Sequence, residues 1–229
     1  MKLRLLAVAA LASVSSSAFA ADAVFESTTP AFNWSGAYIG AQIGYGVGGH
    51  ADYVYLDAED EDGSYDYSNR LRGLLGGVYV GYNHQFSNNV VLGAEADVAF
   101  GDVHGSGVAP GYPMEFAASS KIDRTASARV RLGYAMDRFM PYIAGGVSYG
   151  HLKFNETEIG EGLYGTGSRN LFGWTVGAGA EYALDANWSI RGEYRYTKFN
   201  KKDFTTDASD NYSVKADSHD IRLGVTYRF

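Results

Sequence analysis

Residues 172–198 read FGWTVGAGAEYALDANWSIRGEYRYTK. From Phe172 to Tyr182 every second residue is apolar: Phe172, Trp174, Val176, Ala178, Ala180 and Tyr182. Gly173, Thr175, Gly177, Gly179 and Glu181 stand between them. After a short link at Leu184–Ala186 the alternation resumes, with Trp188, Ile190, Tyr194 and Tyr196 set against Ser189, Arg191, Glu193 and Arg195. Neighbouring strand residues face opposite sides, so the stretch predicts two antiparallel strands with one apolar face each. The second face decides the class. In a soluble sandwich or lipocalin the apolar face is the core and the charged face meets water. Here the charged face mixes both signs with glycine, as suits a narrow lumen where ions pair and glycine makes room. Polar-in, apolar-out alternation is the pattern of outer-membrane barrels.

Outward from this hairpin, six more segments alternate in the same way, giving strands near 36–47, 74–84, 89–101, 122–135, 140–150, 172–183, 187–198 and 218–229. Each is about as long as a tilted membrane strand, ~9–11 residues. The prediction is an all-β, eight-stranded, antiparallel up-and-down transmembrane barrel over residues 36–229. An eight-stranded barrel is only wide enough to be filled by side chains. Its inner face is expected to hold an ion-pair network of Glu95, Asp97, Arg129, Arg131, Glu181, Arg191, Glu193, Arg195 and Arg222.

The links alternate in length. Gln85–Asn88, the turn around Asp137 and Leu184–Ala186 are short, while 48–73, 102–121, 151–171 and 199–217 are long. Short periplasmic turns and four long extracellular loops follow. With the first strand rising, Tyr82, Tyr134, Tyr182, Trp188, Tyr227 and Phe229 fall at the periplasmic rim. Tyr45, Phe100, Tyr149, Phe172, Trp174 and Tyr196 fall at the outer one.

Composition agrees. The 229 residues carry 29 glycines, 18 tyrosines, four prolines and no cysteine, with a net charge of −7. Mean hydropathy is −0.19, which excludes a helical membrane protein. The absence of cysteine excludes disulfides and thiolate chemistry, and the acidic balance argues against nucleic acid as a partner. Residues 1–20 read as an export signal: Lys2 and Arg4, an apolar run from Leu5 to Val14, and the small-x-small site ending at Ala20, with cleavage before Ala21. Residues 21–35 are then a periplasmic N-terminal segment.

Several motifs look chemical. Gly44–Gly49 matches G-x-G-x-x-G, but an acidic loop follows where a dinucleotide site needs a helix. Gly146–Gly150 matches G-x-S-x-G, but the period of two runs straight through, so Ser148 points inward and no nucleophile elbow forms. The acidic run of Asp52, Asp57, Glu59, Asp60, Glu61, Asp62 and Asp66 misses the EF-hand ligand spacing at Ala58 and Asn69, and reads as a solvated loop. His50, His104, His151 and His219 fall in loops or at the outer rim. They are the candidates for ligating haem iron or a metal, although no pair has ligand spacing. No histidine lies near a plausible serine in sequence, so no enzyme is expected and no cofactor is implied.

Trp34-Ser35-Gly36-Ala37-Tyr38-Ile39-Gly40 resembles the opening strand of the small alphaproteobacterial outer-membrane proteins: the RopB-type proteins of rhizobia and the surface antigens and haemin-binding proteins of Brucella and Bartonella. Gly173–Tyr182, Asn187-Trp188-Ser189 and Glu193-Tyr194-Arg195-Tyr196 resemble that family's penultimate hairpin. Val225-Thr226-Tyr227-Arg228-Phe229 resembles the last strand, ending in an aromatic residue, that the barrel-assembly machinery recognises, which makes Phe229 the assembly signal. The resemblance implies a monomeric protein of the outer membrane, tied to its lipid and lipopolysaccharide and to envelope integrity and surface interaction. Within such a family the alternatives are a narrow porin, or a binder of haem or host surface molecules.

Overall fold

The structure is a computed structural model and describes residues 32–55, 67–70, 72–108, 116–158, 162–200, 202–205 and 211–229. The export signal with Ala20 and Ala21, most of the segment 21–35, and the acidic stretch 56–66 lie outside the described residues.

Among the described residues the chain forms β1 (Gly36–Gly48), β2 (His50–Tyr55), β3 (Tyr67–Arg70), β4 (Gly73–Gln85), β5 (Val90–Val108), β6 (Phe116–Tyr134), β7 (Phe139–Glu158), β8 (Gly162–Ala183), β9 (Trp188–Phe199), β10 (Lys202–Thr205) and β11 (Asn211–Arg228). Eight of these pair antiparallel in the order β1-β4-β5-β6-β7-β8-β9-β11, and β11 returns to β1 through pairs from Tyr38↔Arg228 to Tyr45↔Ile221. The sheet therefore has no free edge, as a strand structure in lipid requires. The three remaining strands sit beyond it: β2 pairs the start of β11 on one side and β3 on the other, and β10 also pairs β11.

The turns at one end are tight. Asn89 and Asp137 take positive φ there (65° and 54°), a conformation that Asn and Asp tolerate better than most residues. In the third turn, Asp185 Oδ1 accepts the backbone N–H groups of Asn187 (2.9 Å) and Trp188 (2.8 Å), which hold its carboxyl below the usual carboxylate range.

At the other end the strands run further than alternation predicts. The β5–β6 ladder continues past a register shift between Phe100 and Val103 to Val108↔Ala117, and β7–β8 continues to Glu158↔Gly162. Outside lipid a ladder no longer needs an apolar outer face, so the pairing persists after the period-two signal has faded.

Burial is inverted relative to a soluble protein. Leu74 is 69 % and Ile43 67 % exposed on the outer wall, while Arg131 is 2 % exposed inside. Outer aromatics pair at both ends of that wall. Tyr149 meets Phe172 (ring centroids 5.3 Å) and Trp174 meets Tyr196 (5.5 Å) at one end. Trp188, Tyr227 and Phe229 form a chain at the other, with steps of 5.1 and 5.2 Å.

Candidate functional site: the barrel lumen

The bore is built in three layers, which can be followed up a single strand. From the tight-turn end, the inward residues of β5 are Val91, Gly93, Glu95, Asp97, Ala99 and Val103: apolar, then acidic, then apolar.

The middle layer is ionic. Six arginines (129, 131, 191, 195, 222 and 228) and five carboxylates (Glu95, Asp97, Glu181, Glu193 and Asp220) are buried in it. Glu95 is the hub: Arg129, Arg131 and Arg191 all reach its carboxylate, and Tyr38 donates its hydroxyl to it at 3.0 Å. Glu193 holds Arg129 at 2.6 Å and Arg195 at 2.8 Å, and accepts the Tyr142 hydroxyl at 2.9 Å. Asp97 takes Arg195 at 3.0 Å and Arg222 at 3.5 Å, and Ser127 donates to it. Glu181 takes Arg131 at 2.9 Å and the Ser189 hydroxyl at 2.6 Å, with Arg228 at 3.5 Å. Many of these links cross the bore. Arg129 on β6 meets Glu193 on β9, and Arg191 and Arg195 on β9 meet Glu95 and Asp97 on β5. Three strands separate β5 from β9 along the wall.

Strands β1, β4 and β7 carry no charge in this layer and supply tyrosines instead. Each tyrosine stands opposite a glycine on the next strand: Tyr38↔Gly81 and Tyr79↔Gly40 between β1 and β4, and Tyr142↔Gly179 between β7 and β8. A Cβ at any of these glycines would run into the partner ring. The rings in turn carry guanidinium groups, Arg191 over Tyr79 at 3.5 Å and Arg131 over Tyr142 at 4.0 Å. Such cation–π contacts offset part of the lost hydration of a buried arginine.

Each end of the belt meets an apolar layer. At the tight-turn end Trp34, fully buried, packs with Val91, Ala135, Met140 and Ala183, and Phe32 lies against them. Residues 32–35 thus enter the mouth of the barrel. Trp34 Nε1 donates to the Asp137 carbonyl (2.9 Å), its backbone N–H donates to Gln85 (2.7 Å), and Arg228 covers its ring at 4.6 Å. At the far end Leu75, Ala99, Val103, Ile122, Leu152, Leu171, Phe199 and Ala216 come from every barrel strand except β1. On β1 Gly46 lies beside Val103. Between belt and far cap lies a cavity of about 30 Å³, bordered by Asp97, Arg195, Asp220 and Arg222 below and by Leu75 and Phe199 above. That is room for about one water molecule.

The structure brings all nine inward charges singled out in the sequence into this belt. Arg228, Asp220, the three tyrosines, Ser127 and Ser189 belong to it too. Asp220, Arg228 and the tyrosines were marked only by their inward parity, and the glycines facing the tyrosines emerge only from the register.

The histidines are not brought together. His104 is on β5 beside Asp102 (3.6 Å), and His151 is on β7 against Asn170 (2.8 Å). His219 is on β11 against the Tyr194 hydroxyl (2.6 Å) and Asp217 (3.6 Å). β6 separates the first two, and β8 and β9 separate the third from the second. His50 lies in β2, and its side chain is outside the described residues. Among the described residues no group of three or more His, Cys, Asp or Glu side chains is placed to hold a metal.

Residues 6–229 match the family described as outer membrane protein beta-barrel domain. The chain is 38% identical over 228 residues to the 31 kDa outer-membrane immunogenic protein of Brucella melitensis biotype 1, covering 93% of this chain and 94% of the relative. It is 31% identical over 202 residues to the 22 kDa outer membrane protein of Rhizobium leguminosarum bv. viciae, covering 87% and 80%. Among solved structures it is similar in fold to the outer membrane protein OprG of Pseudomonas aeruginosa, with a TM-score of 0.51 and 14% identity, covering 87% of this chain and 98% of that one.

Proposed function

This chain belongs to the outer membrane protein beta-barrel family, alongside the alphaproteobacterial proteins of Brucella and Rhizobium, and on that premise we propose that it is a closed structural and surface barrel, neither pore nor enzyme. Its wall anchors it in the outer membrane and its long outer segments meet lipopolysaccharide and the cell's surroundings. In this role it supports envelope integrity as a monomer, after export and removal of residues 1–20 and insertion by the barrel-assembly machinery through the strand ending in Phe229.

The observation that carries the proposal is the filled bore. A conducting barrel needs a continuous aqueous path. Here eleven ionised side chains are spent on one another, and apolar layers lie above and below them. Each of these buried charges has at least one partner of opposite sign within the bore, which leaves little to offer a passing ion. Ser148, the serine of the G-x-S-x-G match, lies buried and donates to the Ala126 carbonyl at 3.4 Å, not to a carboxylate or an imidazole.

Planar-bilayer recording of the purified folded chain tests the reading, with no steady conductance expected. A sustained opening of nanosiemens scale would overturn it. Detergent sensitivity of a deletion strain, restored by the intact gene, tests the envelope role, and N-terminal sequencing is expected to find Ala21 first.

A further inference from the structure

On one side of the barrel the wall changes character above the outer aromatic rim. Val103, Ile122 and Leu152 point inward and are buried, so their neighbours face out. The pairings Arg72↔His104, His104↔Lys121 and Lys121↔Lys153 set four outward residues in one rung across the wall. One rung nearer the membrane, Arg124 pairs with Phe100 on one side and His151 on the other. At strand spacings of ~4.8 Å the upper rung spans roughly 15 Å. Arg72, His104, Lys121, Arg124 and Lys153 are all exposed, and the exposed Leu74, Phe100 and Phe172 lie below them.

Two acids are interleaved. Asp102 pairs with Lys121 at 2.9 Å, and Asp123 with Lys153 at 2.9 Å and Arg124 at 3.5 Å. Four permanent cations against two carboxylates leave a positive strip on a chain whose net charge is −7. Lys121 and Lys153 are moreover direct cross-strand partners, an arrangement of like charges that weakens a sheet.

We propose that this strip binds the phosphate groups of an outer-leaflet glycolipid headgroup, with Lys121, Arg124 and Lys153 as the principal contacts. This rests on the association with lipopolysaccharide proposed above and names its place on the wall. The height fits: these are the first polar rungs beyond the apolar wall, where a headgroup sits while its acyl chains lie along Leu74, Phe100 and Phe172. The chemistry fits too. Arg124 can take a phosphate through two N–H donors, and the lysines add point charges and further donors.

The full chain, folded in phosphatidylcholine vesicles, is titrated with fluorescent diphosphoryl lipid A. The variant Lys121→Gln/Arg124→Gln/Lys153→Gln is compared with Lys198→Gln, an exposed cation on β9 further round the wall, and heat-modifiable migration on gels checks folding. The triple variant is expected to weaken binding by roughly tenfold or more, the loss expected of charge-assisted contacts, and Lys198→Gln by less than about twofold, as for an isolated exposed charge. Lys121→Arg/Lys153→Arg, which keeps the charge, is expected to bind like the parent. Excess inorganic phosphate is expected to leave the lipid bound, and full competition by it would overturn the lipid assignment. If the parent binds lipid A and the triple variant binds equally well, this site is wrong while the broader association stands. If the parent does not bind at all, both fall together.

Discussion

The belt and the caps fill the same bore by different physics. In the belt every group is directional. Glu95 faces three guanidinium groups and a phenol, and each contact fixes an angle as well as a distance. In the caps Leu152, Phe199, Trp34 and Met140 mainly occupy volume. The belt spans the cylinder, tying β9 to β5 and β6 through its centre, whereas each cap is assembled from whichever inward residues reach that height. A buried charge network gains little over an apolar core of the same shape, but losing one member leaves its partners charged and alone. The belt should therefore be brittle and the caps forgiving.

The largest effect is expected at the hub. Glu95→Ala leaves Arg129, Arg131 and Arg191 without their shared carboxylate and should cost about 3–5 kcal/mol, the range for breaking a buried pair, read as a lower urea midpoint for unfolding from vesicles. A loss under about 1 kcal/mol, the scale of a neutral hydrogen bond, would mean that the belt is as plastic as the caps. Next comes Trp34→Ala, expected to cost about 3 kcal/mol, at the lower end for truncating a buried tryptophan, because its segment enters only the mouth. Bilayer recordings of this variant should stay silent, since the belt above remains intact. Sustained current would show that the seal is the cap and not the charges. Leu152→Ala, in the far cap, is expected to cost about 2–3 kcal/mol by the same measurement, and small apolar ligands are not expected to restore it unless the gap stays dry.

The same contrast separates what the sequence makes legible from what it hides. The eight barrel strands are readable because lipid and lumen impose opposite demands on alternate residues, as at Val176 and Gly177. The inward parity of Glu95, Arg129 and Arg191 follows from the same rule. Which arginine meets which carboxylate does not follow, because Arg191 and Glu95 lie 96 residues apart and meet only once closure sets the stagger. Parity also places Tyr38 inside without revealing that Gly81 makes its slot. Trp34 precedes the first alternating residue, so no period marks it as a plug. The outer halves of β6 and β8 leave the period behind, and β2, β3 and β10 are too short to establish one.

The smallest expected effect is the sharpest test of brittleness. Ser127 donates to Asp97, which Arg195 and Arg222 also hold. If contacts in the belt were independent, Ser127→Ala would remove one hydrogen bond to a charged group, about 1.5 kcal/mol, and that loss would be the same with or without Arg195. If the belt acts as a unit, Asp97 keeps its ionic partners, and the loss in the intact protein should be smaller, about 1 kcal/mol. It should then grow once Arg195→Met has removed the principal one. A double-mutant cycle on the urea midpoints of the two single variants and their combination separates these cases, because only coupled neighbours depart from additivity by more than about 0.5 kcal/mol. Additive losses would make the belt a set of separate pairs, and the contrast with the caps would then be one of chemistry and not of cooperation.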